Sequence, residues 1–75
     1  MKTFNPESIR IIRLSHGLTQ EAFAGKLGDT TQKQHISNWE NGVNIPDTKS
    51  LLLIVNAFNV PYEIFFTEDM HHSNK

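Results

Sequence analysis

The residues best suited to chemistry in this chain lie between Thr31 and Asn44. Gln32, Lys33, Gln34, Ser37 and Asn38 supply amide, ammonium and hydroxyl groups, and no acid stands between Asp29 and Glu40. On a helix they occupy the face turned away from Ile36 and Trp39. Such a face can read nucleic acid. An α-helix fits the major groove, where Gln and Asn pair bidentately with adenine and Lys reaches guanine. Composition alone favours a plainer reading, a solvated helix face. The elements around these residues shift the balance.

The stretch Thr19–Gly42, TQEAFAGKLGDTTQKQHISNWENG, reads as a helix, a tight break and a second helix. Thr19 is a good N-cap, and Glu21 suits the positive end of the helix that follows. Ala22, Phe23 and Leu27 form its apolar face, while the small Ala24 and Gly25 leave room for another helix. Gly28 is the natural stop, because glycine enters left-handed backbone space at no steric cost. The second helix restarts from Thr31, with Gln34 as its capping-box partner. Ile36 and Trp39 turn to the core, and Gly42 closes the helix.

GLTQEAFAGKLG, then ISNWENG and a downstream proline, resembles the Cro/CI-type helix-turn-helix family of phage and bacterial repressors. The similarity runs from about Ile9 to Phe66. It implies an all-α fold, a compact five-helix lambda-repressor-like domain that sets its third helix in the major groove of double-stranded DNA. Counted back from Ile36, the family's base-contacting positions fall on Lys33, Gln34 and Asn38, with Ser37 and Gln32 as second choices. Gln20, at the start of the second helix, is expected to meet a phosphate with the neighbouring backbone N–H groups. Thr31, His35, Asn41 and Asn44 are further phosphate candidates. The family also pairs an arginine of the first helix with a glutamate after the third-helix aromatic; these are Arg13 and Glu40. One departure stands out. The family has five residues between the turn glycine and the third-helix isoleucine, whereas Asp29–His35 makes seven.

Composition sets the outer limits. Seventy-five residues make one domain, close to the smallest that folds without a staple. With no cysteine, disulfides and thiolate metal sites are excluded. The expectation is a helix-turn-helix domain over residues 1–66, with its motif at about 19–42, and a polar, frayed tail over 67–75. No signal peptide or bilayer-spanning apolar run is visible, so a cytoplasmic location without membrane contact is the default. Net charge is −1, but unevenly spread: residues 1–40 hold five basic and four acidic side chains, residues 41–75 two basic and four acidic. Few cations imply modest nonspecific affinity with a shallow salt dependence.

The remaining elements follow the same logic. Asn5 and Pro6 open a first helix whose inner face is Ile9, Ile12 and the ring of His16, with Gly17 at its end. Ile11 and Leu14 lie opposite that face; Phe4, Met70 or a partner would have to cover them. Asp47 caps a fourth helix with a stripe of Leu51, Ile54, Val55 and Phe58. Val60 and Pro61 lead to a short fifth helix around Phe65. Leu53, Ile64 and Phe66 exceed what so small a core absorbs, which marks them as a homodimer interface.

The leading function is therefore a sequence-specific transcriptional regulator, a repressor acting as a homodimer on a palindromic operator. The competing reading is an antitoxin or other interaction module, holding a toxin or antirepressor through Ile64 and Phe66. An enzyme is rejected: there is no cysteine nucleophile, no Gly-rich phosphate loop and no metal-ligand cluster, and Ser37 and His35 diverge on one helix. His71 and His72 are adjacent surface residues, so no metal or other cofactor is expected.

Overall fold

Asn5, Thr19 and Asp47 each stand where a side chain can accept from an N–H of a first helical turn, and each does so. Asn5 takes Glu7 N–H at 3.2 Å, Thr19 takes Ala22 N–H at 3.1 Å, and Asp47 takes Ser50 N–H at 2.9 Å. The computed structural model describes residues 2–28 and 30–68. The described residues form four α-helices, three of which begin on these caps: α1 (Pro6–Ser15), α2 (Gln20–Leu27) and α4 (Thr48–Phe58), with α3 (Lys33–Glu40) between the last two. Pro6 occupies the first turn of α1, where its missing N–H is no loss.

The expected fifth helix is a single 3-10 turn, Tyr62–Phe65, and it leads directly into a strand. That strand, β2 (Phe66–Glu68), pairs antiparallel with β1 (Lys2–Phe4), with Phe4 opposite Phe66 and Lys2 opposite Glu68. An Asn5 N–H to Phe65 C=O bond of 2.8 Å and a Lys2–Glu68 ion pair of 3.6 Å close the ribbon at its two ends. Thr67 and Glu68, expected in a frayed tail, therefore have backbone partners. The rest of that tail, with Met70, His71 and His72, lies outside the described residues.

All four helices feed one core. Ile9 and Ile12 come from α1, Phe23, Ala24 and Leu27 from α2, Ile36 and Trp39 from α3, Leu51 and Ile54 from α4, and Phe65 from the 3-10 turn. On α2 the buried small residue is Ala24, whereas Ala22 is exposed and Gly25 has open space where a Cβ would stand. Phe58 stacks on Phe23 at 4.8 Å between ring centroids, and His16 lies tilted against Phe58 at the same separation.

The C-terminal apolar surplus is partly absorbed. Leu53 and Phe66, expected outside the core, are half-buried against it, and the ribbon sets Phe66 opposite Phe4. Ile64 stays 38% exposed and Tyr62 37% exposed. Ile11 and Leu14 are each 57% exposed, uncovered by Phe4.

Candidate nucleic-acid interface

Gly28 ends α2 with φ +136°, a value open to glycine and strained for other residues. Its carbonyl accepts from Thr31 N–H at 3.2 Å, which turns the chain toward α3. The restart differs from expectation. Gln32, not Thr31, is the N-cap residue, and the capping partner three residues into the helix is His35, not Gln34. His35 Nδ1 accepts from Gln32 N–H at 3.0 Å. Imidazole serves here because its ring nitrogen reaches back over one turn as a carboxylate would. Thr30, Thr31 and Gln32 precede the helix, so the longer connection is taken up in the turn rather than in α3. Lys33 is thereby the first helical residue.

Burial divides α3 cleanly. Ile36 and Trp39 are in the core, while Gln32, Lys33, Gln34 and His35 are exposed and Ser37 and Asn38 half-exposed. Two side-chain bonds run along the outer surface: Gln34 Nε2 donates to Asn38 Oδ1 at 3.0 Å, and Asn41 Nδ2 donates to Ser37 Oγ at 3.3 Å. Both join positions four apart, neighbours on a helix surface. The loop after α3 is tied back to it, since the Asn38 carbonyl accepts from Val43 N–H at 2.9 Å and Asn44 N–H at 3.4 Å. Asn41 and Asn44 are exposed there, beside Val43 and Ile45, which are 67% and 70% exposed. The sequence reading singled out neither aliphatic residue; a short loop without periodicity carries no burial signal.

Glu40 is the one acid of α3, and its charge is withdrawn from the outer face. Arg13 grips its carboxylate with two bonds, Nε to Oε2 at 2.7 Å and Nη2 to Oε1 at 3.1 Å. The pair is nearly enclosed, with side chains 12% and 4% exposed. The hydrogen bond to Glu40 raises the Arg13 pKa further above its ordinary range, so the guanidinium stays charged. Its third arm, Nη1, donates to Leu18 C=O at 2.9 Å, fastening the α1–α2 turn to the same cluster. Gln20 joins it as well, donating Nε2 to Glu40 Oε1 at 3.1 Å. The side chain expected at a phosphate is thus half-buried and held against α3. Thr31 is half-buried at the turn.

No group of three His, Asp or Glu side chains is gathered as for a metal ion among the described residues. Nor is any described helix long and apolar enough to cross a membrane. No curated protein and no solved structure gives a significant match. A family model described as helix-turn-helix matches residues 9–65, the span from the first core residue of α1 to the 3-10 turn. With that span covered, the chain belongs to the Cro/CI-type helix-turn-helix family of DNA-binding transcription regulators.

Proposed function

We propose that this regulator is a repressor, acting in the cytoplasm, that binds a palindromic operator as a homodimer, with α3 in the major groove. One observation carries the reading: the outer face of α3 is polar and free of accessible acid, while its inner face and its last residue are locked into the core. Lys33, Gln34 and Asn38 are the base readers, with Ser37 and Gln32 at the margins. Gln20, Thr31, His35, Asn41 and Asn44 border the phosphate track, where backbone N–H groups at the start of α2 contribute. Selection of bound duplexes from a random pool tests this directly. The expected product is an inverted repeat with half-sites about 34 Å apart, one turn of B-DNA; a collection without common sequence contradicts it.

Two-fold pairing supplies the second reading head. Ile64 is the best centre for it, apolar and exposed with Tyr62 two residues before it, while Leu53 and Phe66 are half-buried against the core and add apolar surface. Ile64→Asp should leave the domain folded and shift it to monomer, because a charge in a desolvated contact is costly. Sedimentation at micromolar concentration, with and without operator, decides: a wild type that is monomeric in both states removes the homodimer from the account.

Ile11 and Leu14 favour a second reading alongside the first. Their exposure on α1 suits a protein partner, and Ile64 with Phe66 is the surface through which a toxin or antirepressor would be held, with DNA binding then secondary. Tight operator binding by the isolated chain would argue against that ranking.

A further inference from the structure

The two central base readers of α3 are bonded to each other. Gln34 Nε2 donates to Asn38 Oδ1 at 3.0 Å across one turn of the outer face. Asn38 is itself anchored, because its backbone carbonyl takes two N–H groups of the following loop, from Val43 and Asn44. A primary amide has two N–H donors and two carbonyl lone pairs. The bond uses one donor of Gln34 and one lone pair of Asn38, and what remains is asymmetric. Gln34 keeps its carbonyl oxygen and one N–H, the set that matches adenine N6 and N7. Asn38 keeps both N–H donors and a single lone pair, so it faces groove acceptors: purine N7, guanine O6 or thymine O4.

We propose that Gln34 and Asn38 form one reading unit, with Gln34 specifying adenine and Asn38 donating to an acceptor on the adjacent base pair. The inference rests on α3 being the recognition helix, and it goes further by naming the operator chemistry and the coupling. A lone glutamine on a helix surface samples many rotamers and either amide orientation. The bond to Asn38 holds Gln34 in one of them before DNA arrives, which lowers the ordering cost on binding. It follows that the preference at one base pair depends on a side chain that reads the next.

Competition binding at fixed salt, with each base pair substituted in turn in the selected operator, measures this. The wild type should prefer adenine at the Gln34 position by about tenfold or more. Asn38→Ala should flatten that preference as well as its own, to about threefold or less, and the Gln34→Ala/Asn38→Ala double variant should lose little beyond the larger single loss. Asn38→Asp keeps the acceptor for Gln34 and removes the donors. It should retain the adenine preference while losing the neighbouring one, although total affinity falls with the added charge. Thermal melting confirms that each variant is folded. If Asn38→Ala leaves the adenine preference intact and the two losses multiply, the reading unit is overturned, with α3 still the recognition helix. A wild type indifferent to every base pair would overturn the recognition helix itself.

Discussion

Helices α3 and α4 are both short, both bury one face, and begin in opposite ways. Helix α4 starts on Asp47, a carboxylate set against the positive helix end, where the hydrogen bond from Ser50 holds its pKa below the ordinary carboxylate range. Helices α1 and α2 likewise carry Glu7 and Glu21 in their first turns. Helix α3 has a neutral amide at its N-cap, an imidazole as the capping partner and no acid in its first turn. Its single acid, Glu40, sits at the far end, ion-paired with Arg13. The difference is costly to helix stability and sensible for binding polyanions. A carboxylate at the start of α3 would strengthen the helix and repel phosphate. Three helix starts are tuned for folding, and the fourth is left positive.

The largest expected effect lies at the anchored end of α3. Glu40→Ala strands Arg13 in a nearly closed site and releases Gln20, so the domain should lose about 3–5 kcal/mol of stability. Chemical denaturation measures it, and a loss below 1 kcal/mol would mean that the pair is a surface contact. The next test is sharper, because it separates stability from binding. Gln32→Asp places a good N-cap and a negative charge at the start of α3. Stability should rise by about 0.5–1 kcal/mol while affinity for all duplexes falls about tenfold or more; rising stability with unchanged affinity would show that this helix end does not face phosphate. The smallest effect belongs to α4. Asn is also a good N-cap, so Asp47→Asn should leave neutral-pH stability and DNA affinity nearly unchanged. It should, however, alter the acid limb. The folded-state pKa of Asp47 is lowered, so its stabilisation is present above the unfolded value and is lost as pH falls through the folded one. The variant should therefore lose stability less steeply than wild type below about pH 4. Identical acid limbs would remove Asp47 from the account.

Much of this was legible because helix starts and apolar spacing are local properties. Asn5, Thr19, Gly28, Asp47 and the Ile36/Trp39 face needed no tertiary information. The pairing of Arg13 with Glu40 is different: 27 residues apart, the two are joined only by the resemblance, and periodicity would not have found them. Most of what the sequence hides is tertiary. Lys2–Phe4 and Phe66–Glu68 are too short to show strand alternation, and each exists because the other is adjacent in space. For the same reason Phe66 reads as surplus to the core, whereas the ribbon sets it opposite Phe4. Thr31 looked like the cap because hydroxyls usually are, whereas the longer turn carries the start to Gln32 and lets His35 serve. The Gln34–Asn38 bond was open to an i,i+4 reading, but two amides could equally have pointed apart.

In the proposed function the outer face of α3 reads bases rather than merely adhering to the duplex. The most direct test is the affinity of Gln34→Ala and Asn38→Ala for the selected operator and for random duplex, at one salt concentration. Each should lose about 1–3 kcal/mol on the operator and almost nothing on random DNA. Equal losses on both would contradict the claim and make these side chains positioning contacts.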